Sequence, residues 1–370
     1  MIDQNWYEIE SPESLNTPAL LIYPERIDRN IDLMIEISGD AKKLRPHIKT
    51  HKTAEIIIMQ MNKGITKFKC ATIAEAELLA MNDAKDVLLA MQPVGANLDR
   101  YAKLIKEYPN TMFSTIVDNE NTAQEMAQIA KNNGVVISLF LDLNVGMNRT
   151  GIEPNNEAHL LFKKIEENQF LNAQGLHSYD GHLRNPDFEE RKKDCDKAFQ
   201  RVLALKESIE KEGTKVPSLV LGGSPSFPIH AKRDGVEVSP GTTLLWDEGY
   251  GNLFKEMPFL KAAVLVSRII SKPAKDIICL DLGHKAMAPE MTFPRIKIFG
   301  LEDSKQIGQS EEHLVIEYHN SEALSIGDIF YGIPMHICPT VAKYPKLLTV
   351  RDKKLEGEWK VAARDHQLNI

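Results

Sequence analysis

The sequence predicts a TIM-type (β/α)8 barrel over residues 25–250, joined to a mainly β domain made of residues 1–24 and 251–370. Three observations predict it. Strand and helix signals alternate from about residue 25 to 250, and after residue 255 they give way to strand-like runs broken by Gly, Pro and Asn. A chain of 370 residues, 43% apolar and 26% charged, is also long enough for one large core with a companion. A doubly wound open sheet is the alternative for the same alternation.

Eight strands are expected: KLRPHIK (43–49), KFKCAT (67–72), DVLLAM (86–91), MFSTIVD (112–118), VVISLFLDL (135–143), NAQGLHSY (172–179), SLVLGG (218–223) and GVEVSP (235–240). Helical periodicity fills the gaps, as in TAEIIIMQMNK, IAEAELLAMND, NLDRYAKLIKEY and FEERKKDCDKAFQRVLALKESIEKEG. TPALLIY (17–23) would be a ninth barrel strand, so it is assigned to the β domain or the junction. LKAAVLVSRII, DIICLDL, RIKIFG, HLVIEYH and WKVAAR supply the β domain.

Charge and composition narrow the function. A net charge of −7, with both signs interspersed, gives no overall basic field for nucleic acid or an anionic membrane. MIDQNWYEIESPES has no cationic region followed by an apolar core, and no apolar run is long enough to span a bilayer, so a cytoplasmic protein is expected. Cys70, Cys195, Cys279 and Cys338 are too sparse for a disulfide framework and fit reduced thiols.

The stretch LRPHIKTHK (44–52) carries the first chemical signal. As a strand it turns Leu44, Pro46 and Ile48 to one face and Arg45, His47 and Lys49 to the other. The inward face of a barrel strand opens on the active site at its C-terminal end, where Lys49 stands. Basic neighbours favour the neutral amine that attacks a carbonyl. A charged strand end in water is the bland alternative, which three aligned basic residues weaken. The seventh strand ends in LGGSPSFP and the eighth in SPGTTLLW, so Gly222, Gly223, Ser224, Gly241 and Thr242 offer N–H groups and hydroxyls for a phosphate. Either turn alone most simply reverses the chain. Together with Lys49 and His47 they suit an aldehyde-bearing phosphoester, and pyridoxal phosphate is one.

RPHIKTHK resembles the pyridoxal-lysine strand of fold-type III enzymes related to D-threonine aldolase and D-serine dehydratase, with an alanine racemase-like barrel. The resemblance extends to TPALLIYPERIDRNI, VGMNRTG (145–151), GGSPS, DLGHK (281–285) and PMHICPT (334–340). It implies pyridoxal phosphate on the first lysine of the motif, Lys49 rather than Lys52, and a divalent metal. It also implies a homodimer. Arg149 matches the arginine near the cofactor's ring hydroxyl in related enzymes; a salt bridge on a loop is its structural alternative. Tyr179 is a candidate cofactor contact. Asp180 and His182 are candidates for orienting substrate or exchanging protons, with His182 preferred for proton transfer.

In PMHICPT, an extended backbone over 335–339 would place His336 and Cys338 on one face, close enough to share an ion. Alone, a histidine two residues from a cysteine is a weak motif; within PxHxCPT it is taken as a metal pair. Two ligands leave positions open for water and substrate, and a thiolate favours Zn²⁺ over Mn²⁺ or Mg²⁺. The resemblance thus implies a lyase acting on D-β-hydroxy-α-amino acids, D-threonine aldolase-like, with D-serine dehydratase-type β-elimination as the alternative. An amino-acid racemase and a non-catalytic pyridoxal phosphate-binding protein are further alternatives.

Overall fold

The computed structural model describes residues 5–370. Its strands are β1 Ala19–Ile22, β2 Lys67–Cys70, β3 Asp86–Leu89, β4 Met112–Val117, β5 Ile137–Leu143, β6 Leu171–Ser178, β7 Ser218–Leu221, β8 Val236–Val238, β9 Ala263–Ala274, β10 Ile277–Leu280, β11 Ile296–Ile298, β12 Lys305–Gln309, β13 Leu314–Glu317, β14 Ile329–Pro334, β15 Lys346–Arg351 and β16 Lys354–Lys360. The chain forms two compact units: one of residues up to Ile31, Thr50–Ile56 and Thr242–Arg364, the other of Asp32–Lys49, Ile57–Gly241 and Asp365–Ile370.

The second unit is the barrel. β2 to β8 make a seven-stranded parallel sheet in sequence order. Helices intervene, and local chemistry starts and stops them. Thr72, Asn119 and Asp187 cap the helices Ile73–Met81, Glu120–Asn133 and Phe188–Lys211 by accepting from backbone N–H groups, and Gly134 ends the second of these in the left-handed conformation.

The expected first strand is not a regular one. Leu44 bridges Val238 and His47 bridges Lys69, both in parallel, and the chain then turns into a 3-10 helix at Ile48–Thr50. Pro46 has no N–H to donate, which confines pairing to single bridges. The segment still closes the barrel. Arg45 N–H donates to Val238 O at 2.9 Å and His47 N–H to Pro240 O at 2.8 Å, while Lys69 N–H donates to Pro46 O at 2.9 Å.

Interior side chains form layers. At the N-terminal end Arg45, 2% exposed, donates to both Asp86 oxygens at 2.6 and 2.9 Å and to Glu237 at 2.7 Å; Lys67 also pairs with Glu237. Leu88, Ile116, Phe140 and Val220 form an apolar cluster. The charge of Arg45 is therefore balanced by carboxylates, and the expectation that it acts on Lys49 is corrected.

The first unit holds a nine-stranded sheet ordered β12-β13-β10-β9-β1-β15-β16, with β14 pairing both β9 and β11. β1 lies between antiparallel β9 and parallel β15, and Leu21, Val264, Val266 and Val350 pack in its core. β14 ends at Pro334 and a short helix occupies Ile337–Val341 with His336 at its N-cap, so the expected extended run over 335–339 is broken. A contact from far back in the chain starts the helix: Asp247 accepts the Ile337 N–H at 3.1 Å. Among the described residues no helix is long and apolar enough to cross a membrane.

Removing Arg45 leaves two carboxylates without their buried partner. Arg45→Met is expected to cost about 3–5 kcal/mol at neutral pH, measured by denaturant unfolding. Burial opposes ionisation of Glu237, but Arg45 and Lys67 outweigh it and hold the carboxyl below its ordinary value. A depressed acid stabilises above its unfolded range and loses that contribution as pH falls through the folded value. The difference between wild type and Arg45→Met should therefore shrink below about pH 4.

Candidate active site

In the barrel unit, three cations gather on one aromatic ring. Tyr179 follows β6, and its ring centroid lies 5.8 Å from Lys49 Nζ, 6.0 Å from Lys69 Nζ and 4.8 Å from Arg149 Cζ. The electron-rich ring face attracts cations. Among the described residues, no carboxylate or carbonyl holds the side-chain nitrogens of Lys49, Lys69 or Arg149. Two glycines make room for the ring: a Cβ on Gly223 would stand 2.8 Å from Tyr179 Cε2, and one on Gly181 would overlap its hydroxyl.

Lys49 lies half-buried on the Ile48–Thr50 turn, its N–H donating to His47 Nδ1 at 3.3 Å. Lys69 points inward from β2 and is 3% exposed. Burial, then the charge of Lys49, lowers its ammonium to about 7. On β6, His177 Nδ1 donates to Asp142 at 2.6 Å, leaving a buried Nε2 with no partner among the described residues. Burial and Lys69 push the His177 imidazolium down, and although burial opposes it, His177 holds the Asp142 carboxyl low.

The glycine turns provide shape more than free donors. Gly222 N–H donates to Ser178 O at 2.9 Å, Gly223 N–H to Ser226 Oγ at 3.2 Å, and Gly241 N–H to Ser224 Oγ at 3.1 Å. Asp180 has no side-chain oxygen left for a substrate. It is 3% exposed and accepts from Ser226 Oγ at 2.6 Å and His230 Nε2 at 2.7 Å. His182 is exposed, with its ring against Gly146, where a Cβ would stand 2.8 Å from Nε2.

Asp180, His230 and Cys195 also converge as potential metal donors. Their lone pairs are committed. His230 Nδ1 accepts from Arg233 Nε at 3.0 Å, so its Nε2 carries the proton given to Asp180, and burial pushes the Cys195 thiol up to about 12. The cluster is a hydrogen-bonded brace behind Tyr179 and the Gly222 turn.

The other unit brings His336 and Cys338 close enough for each to favour the charged form of the other. His336 Nδ1 lies 2.5 Å from Glu290 Oε1, leaving Nε2 for a further partner. Cys338 Sγ is 3.2 Å from Thr50 Oγ1 and 3.4 Å from Thr242 Oγ1. Burial disfavours both charged forms, yet each favours the other: His336 rises to about 9 and the Cys338 thiol is lowered. Asp247, held by Tyr250 and Ile337 N–H groups, adds its field. A histidine fixed by a carboxylate and set beside a thiol that ionises more readily than usual is a fit donor pair for a zinc-type ion with open positions.

Sequence reasoning passed over Lys69, Asp142, Glu290 and Asp247. Period two in KFKC puts Lys67 and Lys69 on one face and could have found Lys69. Glu290 lies 46 residues from its partner, and no local pattern announces it.

Residues 22–248 match the family model described as alanine racemase, N-terminal domain, and residues 262–350 match a serine dehydratase domain model. The chain belongs to the alanine racemase N-terminal domain family. Within it, the chain is 26% identical over 363 residues to the 3-hydroxy-D-aspartate aldolase of Paracoccus denitrificans (strain Pd 1222), covering 95% of this chain and 92% of that one. It is 27% identical to the D-threonine aldolase of an Arthrobacter species, with 95% and 93% coverage, and 26% to the D-serine dehydratase of Dictyostelium discoideum, with 90% and 92%. A crystal structure of the D-threonine aldolase from Filomicrobium marinum shares the fold at a TM-score of 0.88 and 24% identity, covering 95% of this chain and 96% of that one. Pyridoxal phosphate is the cofactor expected of an alanine racemase-like chain. The residues fit it: among the described residues no hydrogen bond or ion pair holds Lys49 Nζ, and no carboxylate pairs with the basic side chains on Tyr179.

Thiol reactivity tests the electrostatics directly. Cys338 should alkylate fastest of the four cysteines near neutral pH, because Cys70, Cys195 and Cys279 are buried and burial raises the thiols of the last two. His336→Ala should slow labelling of Cys338 by about tenfold, read by mass spectrometry.

Proposed function

We propose that the protein is a pyridoxal phosphate- and divalent metal-dependent lyase that cleaves D-β-hydroxy-α-amino acids to glycine and an aldehyde. The observation that carries this proposal is the set of basic side chains, Lys49, Lys69 and Arg149, that gather around the Tyr179 ring with no carboxylate on their nitrogens among the described residues. Such a set suits a polyanionic aldehyde, and relatives named as aldolases span 95% of the chain. When bound, the cofactor supplies the carbonyl and an electron-withdrawing ring, and the ion supplies a Lewis acid.

The chain's own groups have distinct tasks. Lys49 provides the amine, with His47 bracing its turn through the Lys49 N–H. Tyr179 and Arg149 position the ring. The Gly222, Gly223 and Ser224 turn, with Gly241 and Thr242, receives the phosphate, the glycines by lacking side chains and the hydroxyls by donating. His336 and Cys338 hold the ion, Zn²⁺ before Mn²⁺ or Mg²⁺, and Glu290 orients the imidazole. His182, exposed beside Gly146, takes the proton of the substrate's β-hydroxyl.

D-serine dehydratase-type elimination is the second proposal, favoured by the serine dehydratase model over 262–350, which contains His336 and Cys338. Product analysis separates the two. D-threonine should give glycine and acetaldehyde; an α-keto acid and ammonia from D-threonine or D-serine would instead establish elimination. Lys49→Ala should abolish either. Chelation should abolish turnover, and Glu290→Gln should weaken zinc binding by about 10–100-fold in calorimetry. Full activity in protein shown by elemental analysis to be metal-free would refute the ion's role.

A further inference from the structure

A cavity of about 510 Å³ opens at the N-terminal end of the barrel, the end away from Lys49 and Tyr179. Its lining includes four basic side chains, Lys42, Lys43, Arg45 and Lys67, against two acidic ones, Asp86 and Glu237. Positive charge is in excess there. Arg45 and Lys67 are matched by the carboxylates, since Arg45 donates to both Asp86 oxygens and to Glu237, and Lys67 pairs with Glu237. The other two lysines are not matched. Among the described residues Lys42 Nζ meets no carboxylate, and Lys43 Nζ makes only long contacts with the carbonyls of Ala231 and Arg233, at 3.4 and 3.5 Å.

Strand β6 is irregular where it borders this cavity. Leu139 pairs with Ala173 and Phe140 with Gly175, which leaves Gln174 as the extra residue of a bulge. Bulges re-aim side chains. Gln174 lines the cavity, and its amide makes no hydrogen bond with any described residue. Ser218, at the start of β7 and paired with Gly175, lines it too, and its hydroxyl is equally without a partner among the described residues. Only glycine allows this approach: Gly175 has a φ of 140°, and a Cβ there would collide with Ser218 O. Met112, 49% exposed, joins Phe140 and Pro217 in an apolar wall.

We propose that this cavity is a second binding site, for a small organic phosphate with a dianionic head and an apolar body. Two unmatched ammonium groups suit a dianion. The guanidinium of Arg45, whose planar fork best matches a carboxylate, is already engaged, and what remains is point charges, an amide and a hydroxyl, which suit the oxygens of a phosphate. The cavity is far larger than a phosphate group and falls within the range of small-molecule sites, so the apolar wall faces the ligand's body. This site is separate from the chemistry proposed for Lys49. The apolar layer of Leu88, Ile116, Phe140 and Val220 lies between the two ends.

Phenyl phosphate is the probe, titrated into the full-length protein by calorimetry. It should bind about tenfold more tightly than inorganic phosphate, because its ring buries apolar surface. Gln174→Glu sets a carboxylate against the anion and should weaken binding by about tenfold or more. Lys42→Glu, at an exposed position, should weaken it by about tenfold and serves as the readout if the first variant does not fold. Both losses should persist in an Arg149→Ala background, because Arg149 stands at the opposite end of the barrel. Failure of phenyl phosphate to bind, or equal affinity for inorganic phosphate, would overturn the proposal. So would binding that falls with Arg149→Ala but not with Gln174→Glu or Lys42→Glu, which would put the anion at the Tyr179 end.

Discussion

The barrel depends on how its first and last strands meet. Among the described residues, Leu44 and His47 form single bridges across the seam with three backbone hydrogen bonds, and Arg45 reinforces this closure. Its guanidinium reaches Asp86 at the start of β3 and Glu237 in β8, tying both sides of the seam to the segment between them. A planar fork with fixed donors does this better than a lysine could. The chain then turns at Ile48–Thr50, and that turn, rather than a strand end, presents Lys49 to the C-terminal end of the barrel.

Charge is handled oppositely at the two ends of the barrel. At the N-terminal end Arg45 and Lys67 are matched by Asp86 and Glu237, which makes that layer a source of stability. Beyond the apolar layer of Leu88, Ile116, Phe140 and Val220, the basic side chains around Tyr179 meet no carboxylate in an ion pair among the described residues. Of these, Lys69 is buried and pushed towards its neutral form, Lys49 is half-buried and Arg149 is exposed, and an anionic ligand is attracted to the set. The Asp180, Ser226 and His230 brace keeps the Tyr179 end of β6 in place meanwhile.

Much of this was legible because periodicity and turn chemistry are local. The βα alternation gave the barrel, and RPHIKTHK with GGSPS pointed to Lys49 and the Gly222 turn. What sequence patterns missed depends on contacts between distant residues. The LRPHIK alternation brought Arg45 to the inner face, but only its pairing with Asp86, 41 residues on, shows that its charge is spent. The pairing of His336 with Cys338 was anticipated from an extended run, whereas a helix start capped by Asp247, 90 residues earlier than Ile337, sets it. Asp180 looked available as a polar residue in a loop; its burial against His230, 50 residues away, shows that it is not.

The central claim is that Lys49, on the turn that follows the barrel seam, is the amine that binds the cofactor's aldehyde. Borohydride reduction of the purified, pyridoxal phosphate-loaded protein followed by peptide mapping tests it most directly. The account predicts a single phosphopyridoxyl group on Lys49. A label on Lys52, on Lys69 or on any other lysine would contradict it.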